Sequence, residues 1–496
     1  MSSLPDPEQA AARRDVNVAE FLRQHAWALT VWAAMLGWTI VLYAIVRSDY
    51  LNYRLARFDL GNMVQAVWST AHGRPLDVTG ADGDQMTRLG GHVDPILVLL
   101  TPLWVALPSP LTLAGAQVAA CALGALPVFW LGRRHLASEK AATLIAWCYL
   151  AYPWLAWTAL DAMHPVTLAI PLLLFAIWFL DTDRLASFAV CAVLVLATGE
   201  VMGITVAGLG LWYAVARGRP KAGLAIAAVG AGWSIFALRV VVPAFSGESS
   251  AFYGFYETVG GSPRGLVETA FTDPTAILSE LFAGNVFLYV FVLGAPLAGM
   301  FLLAPGLAAV SLAQLSVNAL ADPLGPIDPR QHYLAAILPI LFAASVFGVA
   351  RLREERQIPV VITMLTLSII FSALFGPWSV SPGRTPLWYQ TDVSPEHIAV
   401  LDRAVELVPD GAPASATNKV GLRLSARRYL ATAPTLGEAE WIVLDAQDPG
   451  LVHPKLPVIV RDPKGFAALT RRLESSPKWV KVFEEDGVYV FRREGS

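Results

Sequence analysis

Charged residues are scarce in this sequence, 15% against the roughly 25% of a soluble domain. With a mean hydropathy of +0.52, that shortage excludes an ordinary soluble enzyme. It excludes disorder too, because disordered chains are apolar-poor and charge-rich. Net charge is only −3, so there is no cationic excess of the kind nucleic acid needs. Cysteine is also rare. Cys121, Cys148 and Cys191 all sit in apolar runs, with neither disulfide-framework nor metal-ligand spacing. There is no P-loop, dinucleotide glycine fingerprint, Ser-His nucleophile elbow or zinc signature. The first apolar run lacks a small-residue cleavage site, so it is expected to remain as a signal anchor. Arg13-Arg14 lies too far ahead of that run to act as a twin-arginine signal.

What charge there is divides the chain. Residues 378–496 carry 15 Lys+Arg and 15 Asp+Glu, the density of a soluble domain, while the preceding residues have about half that density. This predicts a cytoplasmic segment over 1–25, a multispan membrane body over 26–376 and a water-exposed domain over 377–496. Apolar runs at 26–46, 111–132, 141–158, 166–180, 185–199, 201–216, 222–243, 286–304, 306–320, 333–350 and 358–376 predict about 11 transmembrane helices. The run 93–107, interrupted by Pro95 and Pro102, reads as re-entrant or interfacial. Eleven spans put Arg13, Arg14 and Arg23, Arg133, Arg134 and Lys140, Arg184, Arg217, Arg219 and Lys221, and Arg351, Arg353 and Arg356 on one side. By the positive-inside rule that side is the cytoplasm. The long loops 47–92, 244–285 and 321–332 and the tail then lie outside. His72, His92, His164, His332, His397 and His453 fall in these parts or at their membrane edge.

The tail reads as a small α/β domain. A helix is expected over 395–407, with Ser394 as N-cap and Pro395 in its first turn. Strands are expected at Ala414–Asn418, Trp441–Asp445 and Val458–Val460, a helix over 463–475, and a hairpin of 479–484 and 488–492 about Glu485-Asp486-Gly487.

The loop 47–92 is the richest in candidate chemistry. Phe58-Asp59-Leu60-Gly61 opens an amphipathic helix. Asp59 has two compatible readings: a helix cap, or a carboxylate at the water–lipid boundary that takes a proton from an acceptor hydroxyl. His92 and Asp94, before Pro95, are either turn residues or ligands of a phosphate or metal. His164, in the short Asp161-Ala162-Met163-His164-Pro165 loop, and Glu200, between two apolar runs, are ionisable groups at membrane depth, which are costly and usually functional. Arg239 either snorkels or holds a lipid phosphate. Asp322, Asp328, Arg330, His332 and Tyr333 form a dense polar stretch, in which Arg330 suits bidentate phosphate contact. Tyr43, Tyr149, Tyr152, Trp154 and Trp157 read as interfacial anchors, as does the aromatic stretch 251–257.

Phe58-Asp59-Leu60-Gly61, with Gln65 and Trp68, resembles the opening of a bacterial membrane family known as domain of unknown function 2079. His92 with Pro95, His164-Pro165, Glu200, and His332-Tyr333 with Pro339 follow in that family's order. So do Ala414–Asn418, Leu424 to Arg428 and Trp441–Asp445. The resemblance runs from about residue 50 to 490. That family is in turn similar to the GT-C glycosyltransferases. The resemblance implies a multispan body, an acidic residue in the first outer loop and a polyprenyl-phosphate-sugar donor at the outer face. One departure is that Glu200 is followed by Val201 where an acidic pair is expected, which weakens a metal site there.

The resulting expectation is an inverting GT-C-type glycosyltransferase of the bacterial plasma membrane. Asp59 would be its base. His92, His164, Glu200, Arg239, Arg330 and His332 would bind sugar or phosphate. His92, Asp94, His164 and Glu200 are candidates for a divalent metal ion. Its partners would be a polyprenyl-phosphate-linked sugar, membrane lipid and an unspecified acceptor, with no nucleic acid. The alternative is a non-enzymatic lipid-linked-sugar transporter or a cell-envelope assembly factor.

Overall fold

The computed structural model describes residues 7–247, 251–321, 327–378, 393–452 and 459–495. Asp322 and His453 lie outside them. Four described helices are long and apolar enough to cross a membrane: His25–Leu51, Pro110–His135, Pro220–Ser246 and Glu354–Phe375. A fifth candidate is the pair Pro274–Leu281 and Gly284–Leu297, bent by 42°. Shorter apolar helices occupy Pro95–Ala106, Pro165–Asp181, Leu185–Leu196, Met202–Ala216 and Leu338–Ala350.

The four long helices match four of the eleven expected runs. Others are broken, and their sequence says why. Pro153 lacks an N–H, so the run 141–158 divides into Glu139–Ala151 and Pro153–Leu160. The run 306–320 divides into Pro305–Ala308 and Ser311–Ala319. Leu36, Ile40, Val190, Val193, Val215 and Ile369 remain exposed, as side chains facing lipid should be. Helices Met202–Ala216 and Pro220–Phe236 pack backbone to backbone. A Cβ at Gly210 would stand 2.5 Å from Ala227 N and 2.6 Å from Gly223 O.

The basic loops gather at one end of the helical body. Arg134 and His135 each approach the buried Asp181 carboxylate at 2.8 Å, and Arg217 approaches it at 3.5 Å. Ala137 N donates to Gln357 Oε1 over 2.8 Å, which ties in the start of the last long helix. The long loop after the first helix lies at the other end, with the turns around residues 164, 200 and 332.

The C-terminal unit is a mixed five-stranded sheet. Its order is Leu430–Thr432, Ala414–Ala416, Trp441–Asp445, Val488–Arg493, Trp479–Glu485. The first three strands are mutually parallel, and the hairpin adds antiparallel to Trp441–Asp445. Side chains alternate across a strand, so Val443 packs with Val400, Leu401 and Ala404 of the helix Pro395–Glu406. Ile442 and Leu444 pack with Phe466, Leu469 and Leu473 of Pro463–Glu474 on the other face. Ser394 caps the first of these helices by accepting from His397 N. Asn418, expected at the end of a strand, instead starts the helix Asn418–Arg423.

Candidate active site

The first loop carries a single turn of π-helix, Arg57–Gly61, that runs directly into the helix Asn62–Ala71. Such turns widen the helix locally and are frequent at functional sites. Ala56 is the cap of this turn and Asp59 lies inside it, so Asp59 does not serve as the expected helix cap. The Asp59 side chain is half exposed, and its Oδ1 stands 3.8 Å from His164 Nε2. Burial raises the Asp59 pKa above the ordinary carboxyl value. His164 and Arg88 oppose that rise and Asp161 adds to it.

His164 is held from below by Gln117 of the helix Pro110–Leu123. Gln117 Oε1 accepts from His164 N at 2.8 Å and from Thr167 Oγ1 at 2.7 Å. Gln117 Nε2 donates to the carbonyl of Ala162 over 2.6 Å. One buried amide therefore fixes the whole turn. His164 Nδ1 is 3.0 Å from the Asp161 carbonyl, which can only accept, so Nδ1 carries a proton and Nε2 faces Asp59.

His332 stacks on His164, with ring centroids 3.5 Å apart and planes 13° apart. Asp161 Oδ2 accepts from both His332 N at 2.7 Å and His332 Nδ1 at 2.9 Å. Burial, then His164, push the His332 pKa down to about 4 against the pull of Asp161. Burial acts to raise the Asp161 pKa, but the hydrogen bonds from His332 together with the charges of His164 and His332 outweigh it, and the carboxyl ends below its ordinary value. The pair is therefore an ionised carboxylate beside a neutral imidazole.

Glu200 sits in the tight turn between Leu185–Leu196 and Met202–Ala216. It accepts from His92 Nδ1 at 3.2 Å and Val93 N at 3.0 Å. Burial acts to raise its pKa, but His92 and these hydrogen bonds hold it at about 2. Arg88 forks onto Asp94, with Nε at 3.0 and 2.8 Å from the two carboxylate oxygens and Nη2 at 2.7 Å from Oδ2. Arg88, His92, Asp94, His164, Glu200 and His332 all line one cavity of about 120 Å³. Asp59 is not among the lining residues and stands behind His164, with its Oδ1 3.8 Å from His164 Nε2.

Two expected phosphate ligands are placed elsewhere. Arg330 lies half exposed with Nη2 2.6 Å from Asp328 Oδ2, and Arg239 is exposed in a second π-helical turn, Ala237–Val241. Neither is among the cavity's lining residues. Arg88 and Asp161 emerge from the structure. Arg88 was hidden because a basic residue in a long loop carries no periodic signal. Asp161 was visible in the short loop, but its pairing with a residue 171 positions away was not.

The expected metal ligands do not converge as a set. Asp94 is engaged by Arg88 and Glu200 by His92. A different trio, Asp161, His164 and His332, offers ligand atoms within 4.8 Å of one another. Its imidazoles lie face to face in nearly parallel planes, so no nearby point lies in the plane of both rings. This donor set does not fit a metal ion.

Compared with known proteins, residues 50–490 match the family described as Predicted membrane protein (DUF2079). The chain belongs to that family. No curated protein matches its sequence. Among solved structures it is similar to ArnT from Cupriavidus metallidurans bound to undecaprenyl phosphate. The identity is 12% and the TM-score 0.53, over 95% of this chain and 99% of that one. The apo form of the same ArnT gives a TM-score of 0.48 at 12% identity, over 92% of this chain and 98% of that one. This family member is a membrane protein that shares the fold of ArnT.

Proposed function

We propose that this protein is an inverting glycosyltransferase of the bacterial plasma membrane. It would move a sugar from a polyprenyl-phosphate donor to an acceptor hydroxyl at the outer face. The observation that carries the reading is Asp59 facing His164, one wall of a cavity that His92, Glu200, His332 and Arg88 also line. The ArnT-like fold, found for a protein bound to undecaprenyl phosphate, supports the donor class.

In this reading the acceptor oxygen attacks the anomeric carbon while the bond from that carbon to the phosphate oxygen breaks. The polyprenyl phosphate leaves with the bonding pair. Asp59 takes the hydroxyl proton, and its raised pKa suits a general base better than an ordinary surface carboxylate. His164 Nε2 is placed to take that proton onward. Arg88, whose Nη1 lies outside its pairing with Asp94, would meet the phosphate as charge builds on it. His92 and Glu200 would orient the sugar. The gathering of basic loops at the opposite end supports a cytoplasmic amino terminus and an extracytoplasmic C-terminal domain over 377–496.

The test is a pair of measurements on purified protein in lipid nanodiscs. Native mass spectrometry should show bound undecaprenyl phosphate. Asp59→Asn should keep that binding and lose about 10²- to 10⁴-fold in transfer from polyprenyl-phosphate sugars. Full activity in Asp59→Asn would remove the base, and failure of wild type to bind the lipid phosphate would remove the whole reading.

A further inference from the structure

The turn that carries Asp59 is gripped by the C-terminal unit from its other side. Arg57, two residues before Asp59, is only 1% exposed. Its Nη2 donates to the carbonyls of Thr79 and Leu430, each at 2.7 Å, and its Nη1 donates to Thr432 Oγ1 at 3.2 Å. Gly421 makes room for its stem, since a Cβ there would stand 3.0 Å from Arg57 Cβ. Phe58 N donates to Asn418 Oδ1 at 2.9 Å. Further along, Gln65 Nε2 donates to the Arg428 carbonyl at 2.9 Å. Tyr53 OH donates to Asp402 Oδ1 at 2.7 Å on the preceding side. Contacts to residues 402–432 thus bracket Asp59 in sequence.

Chain stability alone does not call for this arrangement. Burying a guanidinium among carbonyls is costly, and an apolar contact of the same volume commonly holds as well or better. What the planar fork adds is direction, because several fixed hydrogen bonds set the turn's orientation as well as its location. Meanwhile Asp59 itself faces His164 of the membrane body.

We propose that the C-terminal domain sets the position of Asp59 through Arg57 and Asn418, making these two positioning residues of the transfer reaction. The proposal rests on the transferase reading. In it the domain is part of the active site's frame, and undocking it moves the base away from His164.

The experiment uses full-length protein in nanodiscs and a polyprenyl-phosphate sugar that wild type consumes. Asn418→Leu removes the acceptor of Phe58 N, while Asn418→Asp restores one. Asn418→Leu and Arg57→Lys should each lower kcat about tenfold or more, with donor KM moving less than about twofold. Asn418→Asp should recover most of kcat. Hydrogen exchange in the 57–61 segment should quicken about tenfold in Asn418→Leu and return in Asn418→Asp. Should Asn418→Leu fail to fold, Tyr53→Phe, which loses one hydroxyl, takes its place with the same expectation at smaller size. Unchanged kcat in these variants overturns the proposal, as does a loss that Asn418→Asp does not recover. If wild type consumes no donor, the transferase reading falls. Exchange in 57–61 then still reports whether the domain fixes this turn, and unaltered exchange overturns that as well.

Discussion

Asp59 Oδ1 and His164 Nε2 face each other across 3.8 Å, one from the first loop and the other from a turn some hundred residues later. His164 Nδ1 is committed to the Asp161 carbonyl, so Nε2 is the ring atom open to Asp59. In the proposed transfer the base needs somewhere to send its proton, and this pair would offer a path from the acceptor hydroxyl to the imidazole.

That relationship fixes a pH response. The base acts only when ionised, so activity should fall as pH drops through the raised Asp59 pKa. His164 opposes the rise, so removing it should move the acid limb of kcat/KM to higher pH. We expect His164→Ala to move that limb to higher pH and to lower kcat. A pH profile of the variant that overlays wild type would break the pair.

His332 supplies a separate signature, in stability. Its pKa is lowered to about 4 in the folded protein, from 6.5 for a free imidazole. Between those values the unfolded chain binds the extra proton and the folded one does not. Stability should therefore be complete above about pH 6.5 and decline as pH falls toward about 4, by up to about 3 kcal/mol. His332→Gln, which keeps a donor for Asp161, should flatten the Tm-versus-pH curve across that window. Glu200 loses its contribution lower down, between about 4.5 and 2, so the two are separable.

The sequence was legible wherever a local rule operates. The long apolar helices, the Ser394 cap, the strand Trp441–Asp445 and the hairpin at Asp486-Gly487 follow from hydropathy, capping and turn chemistry. Five site candidates, Asp59, His92, His164, Glu200 and His332, were visible as ionisable residues at apolar-run ends, and the fold brings them together. What escaped was pairing across distance. Nothing near Arg88 reveals that it reaches the cavity, whereas the engagement of Arg330 by Asp328, two residues before it, is a local contact. The gripping of Arg57 by Leu430 and Thr432 spans more than 370 residues, beyond any periodicity argument.

Arg88 and Arg330 can be told apart by kinetics. Arg88 lines the cavity with its fork held by Asp94 and its Nη1 outside that pairing, so in the proposed reaction Arg88→Lys should raise donor KM about tenfold or more. Arg330 is exposed and engaged by Asp328, and Arg330→Ala should move KM less than about threefold. The reverse order would return the phosphate to the stretch 328–333.

The hairpin Met202–Ala216 and Pro220–Phe236 offers a test of packing with no chemistry in it. A side chain at Gly210 has no room against Ala227 N and Gly223 O. Gly210→Leu should therefore force the helices apart and cost about 1–3 kcal/mol. Thermal unfolding in detergent should show the loss, and an unchanged Tm would mean that these backbones do not touch. Glu200 ends the adjoining turn, so the activity of any folded variant should fall as well.

Chelation decides whether the trio Asp161, His164 and His332 handles protons or a metal ion. Its three ligand atoms are close enough for a cation, but closeness is not convergence. Imidazole binds a metal in its own plane, and two nearly parallel planes stacked 3.5 Å apart share no point at which one ion could lie in both. Asp161 Oδ2 already accepts two hydrogen bonds from His332, and a metal would have to displace the one from the ring. The leaving group in the proposed reaction is a single phosphate, which Arg88 would meet without a metal ion. Prolonged dialysis against EDTA should therefore leave transfer unchanged, and added Mn²⁺ or Zn²⁺ should not raise the Tm. Loss of activity on chelation, restored by one cation, would require the two rings to rotate out of their stack. His332→Phe would then abolish the restoration, because it keeps a flat ring and removes the ligand.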